Sequence, residues 1–128
     1  NFKYINLAQA KLLHDENELL KIHKTLVQNF VKRLDSLMAL TSDFSVTPIF
    51  ITQVEYNGLA REELFLINQT LKKYCNSKNI FLIELDNVIN ASNKDFFDKY
   101  HTTIHGSEKI AKSIYPDLNK ILRSLKFE

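Results

Sequence analysis

Tryptophan is absent from this 128-residue chain, cysteine occurs once, and glycine and proline occur only twice each. The single thiol, Cys75, rules out an internal disulfide. It falls on the apolar side of a helical pattern and reads as a small buried hydrophobe, not a nucleophile. Charge of one sign is never concentrated. Seventeen basic and fifteen acidic residues are interspersed to a net +2, which leaves no nucleic-acid footprint. The apolar runs are only a few residues long, so no transmembrane span is expected. No leader-type segment is present, and the compartment stays open. The chain opens on Asn1-Phe-Lys-Tyr, not on methionine, so residues upstream are expected.

What is present is ordinary for one globular α/β domain. The length fits a single domain over residues 1–128, and 45% of residues are hydrophobic and 25% charged. Phe2-Lys-Tyr-Ile-Asn-Leu7 is compatible with a short strand and Leu7–Leu13 with a helical turn. From Asp15 to Leu40, Leu19, Leu20, Leu26, Val27, Phe30, Leu34, Leu37 and Met38 recur at helical spacing and predict one amphipathic helix. His23 lies at the edge of that stripe and reads as a packed or half-exposed side chain, not a ligand. His14 has no acidic or cysteine partner at metal-ligand spacing and reads as surface.

Thr47–Val54 predicts a strand whose Ile49-Phe50-Ile51 core is apolar without alternation, as in a sheet covered on both faces. Residues 59–76 predict a helix with Leu64, Ile67, Leu71 and Tyr74 inward and Glu62 and Glu63 in its first turn. The sequon-like Asn68-Gln-Thr lies inside that helix and reads as coincidence. Ile80–Leu85 predicts a second apolar strand ended by Asp86. Asn87–Asp98 reads as a polar, irregular connection. Ile104–Leu125 predicts an amphipathic helix with a kink or a restart at Pro116.

Two apolar strands joined by a helix make a right-handed parallel crossover. Two strands alone do not make a stable sheet. The chain is therefore expected to be the later part of a doubly wound domain, with at least two strands upstream of Asn1. Ligands of such sheets sit beyond the carboxyl ends of the strands. There the sequence places Asp98-Lys-Tyr-His101-Thr-Thr-Ile-His-Gly106-Ser-Glu-Lys-Ile-Ala111. An acid three residues before a histidine can accept the proton of one ring nitrogen and leave the other as a base. Thr102 or Thr103 can cap the following helix, and Gly106 allows close backbone approach in its first turn. Asp95 is a rival acid and His105 a rival base, although His105 is expected on the helix surface. Ser107 reads as structural.

Asp98-x-x-His101-x-x-x-x-Gly106, followed by Ser-Glu-Lys-Ile-Ala, resembles the last motif block of the SGNH (GDSL) hydrolases. Thr47–Gln53, the helix with Asn68-Gln-Thr-Leu-Lys, and Ile80–Leu85 follow in that family's order, so the resemblance spans roughly residues 16–125. It implies a three-layer, flavodoxin-like parallel sheet with helices on both faces, here only its C-terminal portion. It also implies that Asp98 and His101 are two members of a Ser-His-Asp triad. No Gly-Asp-Ser occurs, and with only Gly58 and Gly106 the oxyanion-hole glycine block and the Gly-x-Asn-Asp block are missing too. The nucleophilic serine is therefore expected upstream of this segment.

The resulting expectation is a serine ester hydrolase with His101 as general base, Asp98 as its orienting acid, and neither metal nor organic cofactor. Its ester substrate would be a lipid, an acylated sugar or another small acyl ester. Gln53, Glu55 and Tyr56 follow a strand end and are candidates for the substrate cleft. The alternative is a non-catalytic α/β binding or assembly module degenerate from that family. Either way, exposed apolar sheet edge and helix face are expected to pair with the missing N-terminal half or with another copy.

Overall fold

The computed structural model describes residues 12–55 and 61–126. The strand expected over Phe2–Leu7, and Tyr56, lie outside them, as does the turn expected over Leu7–Leu13 except for Leu12 and Leu13, which are not helical. Among the described residues the architecture is mixed α/β, mostly helical, with one two-stranded parallel sheet of order β1-β2 (Ile49–Ile51 and Phe81–Ile83). The helices are α1 (Glu16–Ile22), α2 (Lys24–Asp43), α3 (Arg61–Lys78), α4 (Leu85–Val88) and α5 (Ile104–Ser124). The described residues fall into two compact units, one of residues 12–50 and 61–82, the other of residues 51–55 and 83–126.

In the first unit, α1 opens with a capping box. Asp15 Oδ1 accepts the Glu18 N–H at 2.8 Å, and Glu18 Oε2 accepts the Asp15 N–H at 3.2 Å. The single helix expected over 15–40 is instead broken at His23, which ends α1 and starts α2 with no side-chain cap. No glycine or proline marks the break. α2 and α3 pack through Leu34, Leu71, Tyr74 and Cys75, with Phe30, Val31, Met38, Phe50, Ile80 and Leu82 against them. The expected apolar stripe of α2 is therefore divided. Leu34 is buried, but Leu26 and Leu37 are exposed, along with Leu40 and Phe44. The latter four recur at spacings that put them on one face of the helix, a second stripe beside the packed one. On α3, Leu66 is fully buried as well as Leu64, and Asn68 is 2% exposed, closed to any glycosylating enzyme.

The Tyr74 hydroxyl donates to Asp35 at 2.5 Å. Burial, and secondarily the Asp35 carboxylate, push the phenol up to about 12. A raised acid stabilises the fold in its protonated form. This contribution is complete below the unfolded value near 10 and is lost as pH rises towards 12. Tyr74→Phe is expected to flatten the alkaline fall in urea stability between those values. An unchanged alkaline limb would remove Tyr74 from the account.

In the second unit, the backbone ladder continues past the strands, where the Thr52 N–H donates to Ile83 O at 3.0 Å. The buried Thr52 hydroxyl donates to Asp86 Oδ1 at 2.6 Å and accepts the Asp86 N–H at 3.1 Å. This ties together the carboxyl ends of β1 and β2. The connection after β2 is not merely polar and irregular. It holds α4, a 3-10 turn at Asn93–Asp95, and the buried Ile89, Ala91 and Phe96, which with Leu85 form a core under Val54, Ile110 and Ile114. α5 runs through Pro116 without the expected restart. Pro116 and Lys112 are both exposed, so the Lys112 carbonyl that lost its donor is open to water. No helix among the described residues is long and apolar enough to cross a membrane.

Candidate functional site

Between the 3-10 turn and α5 the chain folds back on itself. Phe96 and Thr102 form an antiparallel bridge, and the Phe97 N–H donates to His101 O at 2.8 Å. Side chains alternate across such a ladder. Phe96 points into the core, while Phe97 and His101 stand on the opposite, open side. At the tip, Asp98 Oδ1 accepts the backbone N–H groups of Tyr100 and His101, each at 2.8 Å. The same carboxylate faces the ring of His101, whose Nδ1 lies 2.8 Å from Oδ2 and 3.0 Å from Oδ1.

The Tyr100 N–H, then the His101 ring and its N–H, lower the Asp98 carboxyl to about 2. It is ionised at neutral pH and can only accept hydrogen bonds. A neutral His101 therefore carries its proton on Nδ1 and presents the lone pair of Nε2 outward. The two side chains are 56% and 76% exposed, so a reacting group can reach that lone pair. Phe97, Tyr100 and Ile104 are exposed beside them.

The rival acid is differently employed. Asp95 is 2% exposed, and its Oδ2 accepts the Ser92 N–H at 2.6 Å, the Ser92 hydroxyl at 3.1 Å and Lys109 Nζ at 2.7 Å. Burial pushes its carboxyl up, but Lys109 and Ser92 outweigh that, and the net shift is downward. The other polar side chains here are structural. Thr103, not Thr102, caps α5, accepting the Gly106 N–H at 3.2 Å and donating to Lys94 O at 2.7 Å. Thr102 Oγ1 and Ser107 Oγ are 2.8 Å apart. His105 is exposed on the first turn of α5. Ser36, Ser77 and Ser124 donate to carbonyls of their own helices. None of these serine bonds is to His101.

The cleft candidates divide. Glu55 reaches the same loop through Lys99, at 3.8 Å. Gln53 is exposed beyond the end of β1. No group of three or more His, Cys, Asp or Glu side chains among the described residues is arranged to hold a metal ion.

The chain matches no family model, no curated protein and no solved structure.

Two partnerships escape a reading of spacing alone. Lys109 meets Asp95 across fourteen positions. His14, read as unpartnered surface, meets Glu62 Oε2 at 2.9 Å across forty-eight. That hydrogen bond raises the imidazole and lowers the carboxyl. The only sequence signal for the first contact is the helical phase of Lys109, in the second turn of α5. The second had none.

Proposed function

We propose that this chain is the C-terminal part of an SGNH-type serine ester hydrolase, with Asp98 and His101 as two members of its triad. The observation that carries the reading is the pairing of His101 Nδ1 with an ionised carboxylate, Nε2 being left open. In acyl transfer, that Nε2 takes the proton of a serine hydroxyl as it attacks the ester carbonyl, then returns it to the leaving alcohol. Asp98 stabilises the imidazolium between those steps. The serine and the oxyanion-hole donors come from outside this segment.

The fold proposed with this function is a three-layer, flavodoxin-like sheet. α3 crosses from β1 to β2, and α2 shares its packed cluster, so α2 fits the crossover from an earlier parallel strand on the free edge of β1. The second apolar stripe of α2 (Leu26, Leu37, Leu40 and Phe44) fits a layer contributed by that earlier part.

Labelling of the intact protein with a fluorophosphonate tests the function. Labelling lost in His101→Ala is expected. No labelling of the wild type would leave a non-catalytic module as the reading. The exposed Phe97, Tyr100 and Ile104 favour an apolar acyl group over a polyhydroxylated one. Butyl or longer acyl esters are expected to give a higher kcat/KM than acetyl esters, and a Phe97→Ala, Tyr100→Ala double variant to level the series. A flat series in the wild type would exclude this preference.

A further inference from the structure

We infer that Asp95, a buried carboxylate outside the triad, is a positioning residue that sets the placement of His101. This rests on the hydrolase reading above.

Asp95 is bound to both sides of the loop that carries the acid–base pair. Its side chain closes the 3-10 turn through Ser92 and reaches Lys109 on α5. Its backbone carbonyl accepts the Thr103 N–H at 2.9 Å. Gly106 packs so closely on that carbonyl that a Cβ there would stand 1.9 Å from the oxygen. The strand-like stem then follows directly, first the Phe96–Thr102 bridge and next the Phe97–His101 hydrogen bond. Asp95 is thus the base of a short hairpin whose tip is Asp98–His101. Its bonds fix the register between residues 96–98 and 101–103, and with it the position of His101 relative to α5.

The chemistry of the anchor suits a positioning role. A carboxylate this deeply buried is tolerated because Lys109 offsets its charge and Ser92 satisfies its lone pairs. Removing Lys109 leaves the Asp95 charge buried and uncompensated, whereas neutralising Asp95 releases a half-exposed Lys109 to water and unties α5 from the 3-10 turn. Asp95 touches neither the open Nε2 nor any group that meets it, so its effect passes through His101.

The test uses the intact protein carrying Asp95→Asn, with Lys109→Met as a second variant that leaves the Ser92 bonds in place. Displacing a catalytic group by about 1 Å costs on the order of 10²-fold in rate. A fall in kcat of about that size is expected, with KM changed less than about twofold. The low-field proton resonance of His101 Nδ1–H should broaden or vanish in both variants, while far-UV circular dichroism stays that of the wild type. A fall in melting temperature with kcat and the resonance both retained would overturn the inference, leaving Asp95 a stability residue only. The resonance separates this outcome from failure of the hydrolase reading. A wild type that shows the resonance but takes no fluorophosphonate refutes the hydrolase, and the positioning role in catalysis with it. A wild type that is labelled, with variants that keep full kcat, refutes the positioning role alone.

Discussion

Gly106→Ala is expected to destabilise the protein by about 2–4 kcal/mol, although alanine is the better helix former. The position is in the first turn of α5, where exchanging glycine for alanine alone would favour the helix by up to about 1 kcal/mol. Steric conflict decides the sign. The new Cβ would lie 1.9 Å from the Asp95 carbonyl oxygen, 2.8 Å from its carbon and 3.0 Å from Thr102 Cβ. The first two are backbone atoms and cannot rotate aside. Nor can the carbonyl withdraw freely, because it accepts the Thr103 N–H at 2.9 Å. Either that bond breaks or α5 moves off the 3-10 turn and uncovers Phe96. The reason for glycine here is space and not an unusual backbone, since no described glycine has a positive φ. A urea titration with unchanged m would measure the loss as a shift of midpoint. His105→Ala, exposed one position earlier, is the control and should shift stability by no more than about 0.5 kcal/mol. A Gly106→Ala protein as stable as the wild type would show that α5 and the Asp95 turn are not in contact.

Local chemistry was legible in the sequence, and distant partnership was not. Helical spacing marks α3 and α5 to within about two residues, while the strands expected over Thr47–Val54 and Ile80–Leu85 contain β1 and β2 but overrun them, with Leu85 opening α4 instead. The spacing of Asp98, His101 and Gly106 suggested an acid, a base and a close backbone approach. In the structure Asp98 faces His101, and Gly106 lies on the Asp95 carbonyl. The first depends on residues three apart, so spacing contains it, whereas the backbone that Gly106 approaches belongs to a different turn and spacing does not name it. The break at His23 is different. Its N–H and carbonyl both still serve helices, and only the local dihedral angles change. Leu26 and Leu37 fall on the one expected stripe because helical phase shows that a residue is apolar-faced, not which of two apolar faces is covered. Polar composition likewise hid Ile89, Ala91 and Phe96, whose burial depends on α5 arriving from later in the chain. Asp95 looked like a competitor for His101 because sequence distance was the only criterion. Its charged partner is Lys109, and that contact exists only after α5 has formed.

On the proposed hydrolase reading, Asp98→Asn should cost about 10⁴-fold in kcat of the intact protein while leaving the loop in place. Asparagine keeps a carbonyl oxygen where Asp98 Oδ1 accepts the Tyr100 and His101 N–H groups, so the turn can persist. Its other atom is now an N–H₂ donor facing His101 Nδ1. The imidazole then relieves the donor–donor contact by moving its proton to Nε2. The lone pair that should receive the serine proton is thereby turned inward to the asparagine. The imidazolium of the transition state also loses its counter-charge. Substrate contacts are untouched, so KM should hardly change. Asp98 itself takes up a proton only near pH 2. The acid limb of the wild-type kcat/KM profile is therefore not expected to belong to it. Stopped-flow or steady-state hydrolysis of an activated ester by wild type and variant at equal labelled concentration gives the ratio directly. A loss smaller than about tenfold would mean that the Asp98 carboxylate serves the Tyr100 and His101 N–H groups as a turn-former and is not needed to hold the His101 tautomer.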